Sequence, residues 1–436
     1  MLYRKFARRL EEFLNNEPRK ILLVNGARQI GKSYIIRYVG KQLFKNFVEI
    51  NLKADKEGMG IFQSVRSVDD FYLQLGAIAG DKLGNKQDTI VFLDEIQSYP
   101  HLMTMLKFLN EEGKYRYIAS GSELGVALAQ TPSVPIGSIA IEQMYPLDFE
   151  EFLWANGITE PVIDKVKECF ENEMPVPDAL HLRFRQLILQ YTVVGGMPAA
   201  VNLFLQYHDL GKVLEEQRNI IAGYEDDMVK YADEADKSRI RECFESIPLQ
   251  LSKENKKFQY AVVRKNSKAS QYQGSLQWIE DAGIITRCRN LNITELPLDG
   301  NAMQDAFKVY MVDTGLFVSM LEDGTQFDIL QGNLYGYKGA IFENLIADIF
   351  TKMKRKLYYF RKDSGLEVDF VIRYKGECVL VEVKAKDGNT KSTKTILANP
   401  DKYHVFHAIK LGDYNVGRSN QLLTIPLYMA FLLRQP

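Results

Sequence analysis

The run Gly26-Ala-Arg-Gln-Ile-Gly31-Lys32-Ser33 is a complete P-loop, and the apolar stretch Ile21-Leu-Leu-Val24 leads into it. A phosphate cradle works only where a buried strand feeds a tight glycine turn into a helix N-terminus. Tyr34-Ile-Ile-Arg-Tyr-Val39 is suited to open that helix. Glycine is 30 of 436 residues. With lysine at roughly 6% and Ser/Thr at roughly 12%, a chance match anywhere in the chain has odds of about 1–2%. The strand-to-helix setting lowers those odds further.

The length suggests two to four domains, and 46% hydrophobic with 25% charged residues is globular composition. A net charge of −1 excludes a bulk polycation, so any nucleic-acid surface must be a local patch. Cys169, Cys243, Cys288 and Cys378 are far apart and form no CxxC pair. They suggest reduced thiols in a cytoplasmic protein rather than a zinc or disulfide framework. The first fourteen residues mix charge and apolar side chains at helical spacing, without a signal-peptide block. No segment approaches the ~18 apolar residues of a membrane span, so no membrane partner is expected.

Strand candidates Ile21–Val24, Phe47–Leu52, Thr89–Leu93, Arg116–Ala119 and Ser138–Ile141 alternate with helical stretches. That alternation predicts a parallel sheet with helices on both faces. Residues 148–235 read as helical. Residues 236–295 read as winged-helix-like, with Ser270 to Asp281 as a recognition helix and Gly283 as its cap. Strands over Leu357–Arg361, Leu366–Arg373 and Cys378–Lys384 follow a helix over Gly339 to Phe350.

Thr89-Ile-Val-Phe-Leu-Asp94-Glu95 is a buried strand ending in two carboxylates, at the end where ligands bind in open α/β sheets. The expected roles follow from charge. The backbone of Gly26, Ala27, Arg28, Gln29, Ile30, Gly31 and Lys32 cradles the phosphates of ATP, and Lys32 neutralises their oxygens. Ser33 and Asp94 hold Mg²⁺, and Glu95 orients or deprotonates the attacking water. Ser120, at the end of the next strand, is placed to sense the γ-phosphate or hold the water, with Ser122 as the alternative.

Taken together these segments resemble AAA-type P-loop ATPases of bacteria and archaea that carry a C-terminal domain of unknown function with nuclease-like motifs. The resemblance is carried by Gly26–Ser33, Leu93-Asp-Glu-Ile-Gln97, Ser120-Gly-Ser122 and Tyr145-Pro-Leu-Asp-Phe-Glu-Glu-Phe152. It continues through Gly195-Gly-Met-Pro198, Val312-Asp-Thr-Gly-Leu316, Gly339 to Asn344, Glu367-Val-Asp369 and Glu382-Val-Lys384. The family usually has Gly-Arg before the Tyr-Pro-Leu segment, whereas here Ser138 follows Gly137. An arginine finger supplied from there is thereby put in doubt. Arg116, Arg183 and Arg185 are the possible substitutes.

Period-2 spacing places Leu366, Val368, Phe370 and Ile372 on one face of a strand and Glu367 and Asp369 on the other. Glu382 and Lys384 share a face in the next strand. A hairpin would bring Asp369, Glu382 and Lys384 together, with an ion between the carboxylates, Lys384 orienting a water and Glu343 completing the shell. Restriction-endonuclease-like folds have this arrangement, and the resemblance implies the same roles here. The bland alternative is a surface hairpin with a cross-strand ion pair.

The expected fold class is therefore a multidomain α/β protein. Its domains are a P-loop AAA-type ATPase core (1–147), a helical lid or linker (148–235), a winged-helix-like domain (236–295) and a restriction-endonuclease-like αβ domain (296–436). ATP and Mg²⁺ are the expected cofactors, DNA the expected partner, and a homo-oligomer the assembly that such ATPases commonly form. Two other functions compete with an ATPase that controls a nuclease. One is a nucleotide-dependent switch or scaffold with an inactive nuclease-like domain. The other is a P-loop kinase, which the large extensions and the Asp94-Glu95 pair disfavour.

Overall fold

The strand that enters the P-loop, Ile21–Asn25, is apolar except at its last residue. The computed structural model describes residues 2–17, 19–122, 137–231, 234–253, 256–333, 337–384 and 390–434. Two units are distinguished: Met1–Tyr145 with Asp281–Gly283, and Pro146–Glu280 with Ile284–Pro436.

In the first unit an opening helix, Lys5–Asn16, buries Ala7, Leu10, Phe13 and Leu14 along one helical stripe. Five strands follow: β1 (Ile21–Asn25), β2 (Asn46–Asn51), β3 (Thr89–Asp94), β4 (Arg116–Gly121) and β5 (Ile139–Gln143). Their order is β2-β3-β4-β1-β5. Every pairing is parallel. Alternate residues of a strand face opposite sides of the sheet. Both sets are buried here: Leu23, Val91, Leu93 and Ala119 on one side, Leu22, Val24, Phe92 and Ile118 on the other. The sheet is thus covered on both faces, as parallel sheets require. All five strands end at one edge, where the register sets Asn51 beside Asp94, Leu93 beside Ala119 and Val24 beside Ser120.

The second unit begins with helices over Phe149–Ala155, Glu160–Glu171, Asp178–Val194, Pro198–Tyr207 and Leu210–Tyr231. The first is capped by Asp148, whose side chain accepts from Glu151 N while Glu151 reaches back to Asp148 N. Further helices include Ala269–Asp281. It leads to an antiparallel hairpin of β6 (Ile285–Leu291) and β7 (Ala302–Met311). Residue 295, where a domain boundary was expected, lies between the two strands of this hairpin. After the buried helix Lys338–Lys352, β8 (Leu357–Arg361) pairs with β6 and β9 (Glu367–Val368) pairs with β8. A second sheet holds β10 (Phe370–Tyr374), β11 (Glu377–Val383), β12 (His407–Gly412), β13 (Gly417–Ser419) and β14 (Leu422–Pro426), in the order β10-β11-β12-β14-β13.

One expected strand, 366–373, is two. It breaks at Asp369, and its halves β9 and β10 join different sheets. Alternation of apolar and polar residues marks a strand with one wet face. Here Phe370, Val371 and Ile372 are all buried, so the alternation does not continue past Asp369. All four cysteines are free and buried. Among the described residues no helix is long and apolar enough to cross a membrane.

Candidate functional site

The P-loop turns through two backbone positions in the left-handed region, Gln29 (φ 66°) and Gly31 (φ 92°). Gly31 stands at the N-terminus of the helix Lys32–Leu43. At Gly26 (φ 151°) a Cβ would lie 2.4 Å from the Met144 carbonyl oxygen, so the loop can pass only as glycine. Lys32 is buried, and its Nζ donates to the carbonyls of Gly26 (2.9 Å) and Ala27 (2.8 Å).

At the end of β3 the Asp94 carboxylate meets two hydroxyls, one from the neighbouring strand β4 and one from the helix that follows the P-loop. Ser33 Oγ donates to Asp94 Oδ2 at 2.9 Å, and Ser120 Oγ donates to Asp94 Oδ1 at 2.5 Å. Burial pushes the Asp94 carboxyl above the usual carboxylate range, and the Ser120 and Ser33 hydrogen bonds oppose the shift. Glu95 is held with φ 55°. Its Oε2 accepts from Gln97 Nε2 (2.5 Å) and Ser122 Oγ (3.1 Å). A left-handed backbone at a residue other than glycine costs about 1–2 kcal/mol, which this site tolerates in order to aim the carboxylate.

The two serines are thereby separated. Ser120 is fully buried against Asp94, whereas Ser122 touches Glu95. Arg116, a possible arginine finger, starts β4 and donates to the Leu14 carbonyl. Because the strands are parallel, it sits at the edge opposite Ser120 and Asp94. In the second unit Arg185 is paired with Asp413. The donor chemistry suits a magnesium nucleotide: a hydroxyl and a carboxylate 2.9 Å apart at a helix N-terminus, beside a buried lysine.

The second sheet gathers the other expected residues. Lys384 Nζ lies 2.5 Å from Glu382 Oε2 and 3.9 Å from Asp369 Oδ2. Thr393 Oγ1 donates to Glu382 Oε1 at 2.5 Å, and the Val383 amide donates to Asp369 Oδ2 at 2.8 Å. Burial, reinforced by Glu343 and Glu382, pushes Asp369 up to about 7. Burial disfavours the charged amine of Lys384, yet Asp369 and Glu382 keep it above the ordinary lysine range.

Glu343 does not complete a metal shell with them. It pairs with Lys256, accepts from Tyr310 OH at 3.1 Å and lies 3.6 Å from Lys308 Nζ. Despite burial, Lys308 and Lys256 hold its carboxyl below the usual range. Lys308 also meets Glu367 at 2.9 Å. Among the described residues no three His, Cys, Asp or Glu side chains are grouped to hold a metal ion. The residues therefore do not fit the expected three-carboxylate shell of Glu343, Asp369 and Glu382. Lys256 precedes the expected recognition helix as one of several basic residues, and its pairing with Glu343 takes it away from that role. Lys308 is a lone lysine inside Ala306-Phe-Lys-Val-Tyr-Met311, a legible sign of a buried, paired charge.

Two motifs without an assigned role, Gly195-Gly-Met-Pro198 and Val312-Asp-Thr-Gly-Leu316, meet the end of the helix Lys338–Lys352 and the Leu147 carbonyl in a buried polar network. Lys352 Nζ lies 2.7 Å from Asp348 Oδ1 and 3.5 Å from Asp313 Oδ2, and donates to Tyr191 OH at 2.8 Å and the Leu147 carbonyl at 3.1 Å. The Gly196 amide donates to Asp313 Oδ2 at 2.7 Å, and Thr314 N and Oγ1 both donate to Asp348 Oδ2 at 3.0 Å. Lys352, the first residue of the basic run Lys352-Met-Lys-Arg-Lys356, has a buried side chain. Glycine is required here: a Cβ on Gly195 would lie 2.1 Å from Asp313 Oδ1.

Residues 18–153 match the family model described as AAA domain. That segment is similar to AAA domains and contains the P-loop and the Asp94-Glu95 pair. Residues 185–326 and 338–428 match two domains of unknown function, DUF8612 and DUF4143. No curated protein matches the chain. Among solved structures, the Walker-type ATPase of Pyrococcus abyssi is similar at 16% identity and a TM-score of 0.44, over 73% of this chain and 96% of that one. The Orc1 protein of Aeropyrum pernix in complex with DNA is similar at 13% identity and a TM-score of 0.31, over 74% and 91%. Both likenesses are too distant to carry residue roles across.

Proposed function

We propose that the AAA domain binds ATP with Mg²⁺ and hydrolyses it, and that residues 296–436 act on or bind DNA as a restriction-endonuclease-like domain. The observation that supports the first part is the convergence of Ser33, Asp94 and Ser120 at the P-loop edge. Backbone amides of Gly26 to Lys32 cradle the phosphates, and Lys32 leaves the Gly26 and Ala27 carbonyls to neutralise their oxygens. Ser33 and Asp94 hold the magnesium ion, which screens phosphate charge when bound. Ser120 acts as a positioning residue through Asp94. Glu95 aligns or deprotonates the attacking water, with Ser122 and Gln97 fixing its carboxylate. With Ser138 where the family has arginine and Arg116 at the far edge of its strand, slow hydrolysis by the lone chain follows.

Asp369 at the break between β9 and β10, with Glu382 on β11 and Lys384 just after it, supports the nuclease-like reading. No metal step is assigned to them. The lysines on Glu343 and Glu382 favour a second reading, a nucleotide-dependent switch whose C-terminal domain binds DNA without cutting it. Purified protein with labelled ATP and plasmid DNA, with and without Mg²⁺, tests both, using Lys32→Ala and Lys384→Ala beside wild type. ATP turnover with intact DNA in every condition selects the switch. Absence of ATP binding overturns the central proposal. Sizing with and without ATP tests the proposed homo-oligomer.

A further inference from the structure

The P-loop is braced from behind by a residue of the opening segment. Arg4, buried just before the helix Lys5–Asn16, donates from Nη1 to the Ile30 carbonyl at 3.0 Å and from Nη2 to the Tyr145 carbonyl at 2.6 Å. For the amides of a phosphate loop to face inward, its carbonyls must turn outward, where they need donors. Ile30 immediately precedes the left-handed Gly31, and its side chain is fully buried. Its carbonyl orientation therefore fixes the turn into the Lys32–Leu43 helix. The other arm of Arg4 holds the segment after β5, whose Met144 amide donates to the Asn25 carbonyl at 2.8 Å and whose Met144 carbonyl closes on Gly26. One planar guanidinium thus ties the loop's last turn to the strand-end segment that walls its first glycine. A lysine cannot serve both carbonyls in that fixed fork geometry.

We propose that Arg4 is a positioning residue that pre-forms the phosphate loop, so that nucleotide binding does not have to order it. This inference rests on the proposed ATP site. It predicts that Arg4→Met, in the full chain, raises hydrogen exchange of the amides of 26–33 in the nucleotide-free protein while β3 stays protected. It also predicts that MgADP and MgATP affinity by calorimetry falls at least about tenfold, as when a charge-assisted hydrogen bond that orders a site is lost. Arg4→Lys keeps the charge and should fall between wild type and Arg4→Met in both measurements, which keeps the inference testable if Arg4→Met does not fold. Arg9→Ala, which removes an exposed pair with Glu142, is the control and should leave both unchanged. Folded Arg4 variants with wild-type exchange in 26–33 overturn the inference, as does Arg4→Lys matching wild type in both readouts. If wild type binds no nucleotide, the ATP reading fails instead, and the exchange experiment still decides the role of Arg4.

Discussion

The P-loop edge and the C-terminal charge cluster are built from similar side chains and differ in what opposes the carboxylates. At the P-loop edge Asp94 is held by two neutral hydroxyls, Ser33 and Ser120, with the carboxylate of Glu95 next to it in the chain. Neutral donors orient a carboxylate without cancelling its charge, so a cation is still attracted. In the C-terminal cluster Glu343, Glu367 and Glu382 each meet a lysine, and Lys308 is almost wholly buried among them. Ammonium groups cancel the charge that a metal would otherwise neutralise. The first site is organised to receive a ligand, the second is closed on itself, and residue types alone do not separate the two.

The largest expected effect tests the open site. Glu95→Gln should retain MgATP binding and lower steady-state hydrolysis by about 10²–10⁴-fold, the usual contribution of a positioned acid–base group. A variant that hydrolyses at the wild-type rate would remove Glu95 from the chemistry. The next effect tests the closed site. Lys308→Met leaves the buried Glu343 and the half-buried Glu367 without one of their countercharges, and should lower unfolding free energy by about 3–5 kcal/mol. Denaturant titration checks this. A loss below about 1 kcal/mol would mean that Lys308 does not neutralise the carboxylates around it.

A smaller effect concerns the network around Lys352. Burial, opposed by Lys352, pushes Asp348 up to about 7. In the window from about 4 to about 7 the unfolded chain has released this proton while the folded chain keeps it. The stabilisation is complete below the unfolded value and is lost as pH rises through the folded one. Asp348→Asn should therefore remove a fall in stability between pH 5 and pH 7.5 that wild type displays. Parallel stability–pH curves for the two proteins in that interval would contradict the assignment.

How far these differences could be read in advance depended on whether they were local. The five strands of the first unit, the P-loop turn and the capping pair Asp148–Glu151 are set by apolar runs, glycines and short spacings, all legible in sequence. Asp369, Glu382 and Lys384 were legible as a group because two strands with period 2 carry them. Four things were not legible. Asp369 breaks its strand because β9 and β10 join different sheets. Lys352 is buried because Asp313, from a segment 39 residues away, joins its i,i+4 neighbour Asp348. Glu343 is taken by Lys256 and Lys308, from segments 87 and 35 residues away. Arg4 reaches Ile30 and Tyr145, 26 and 141 residues along the chain. In each case a long-range partner decides what a charged side chain does.

The smallest expected effect separates the two serines of Ser120-Gly-Ser122. Ser122→Ala removes one of two donors to Glu95 Oε2, and Gln97 still holds the carboxylate. Loss of one neutral hydrogen bond at about 0.5–1.5 kcal/mol implies a fall in hydrolysis of roughly 2- to 10-fold with nucleotide affinity unchanged. Ser120→Ala acts on Asp94 and so on the magnesium ion, and should weaken MgATP binding more than it changes the rate for bound nucleotide. If Ser122→Ala instead weakened binding and Ser120→Ala only slowed turnover, the roles of the two serines would be exchanged. The open site would then use the hydroxyl of Ser120 on the water and that of Ser122 on the metal, an arrangement that the placement of Ser120 against Asp94 argues against.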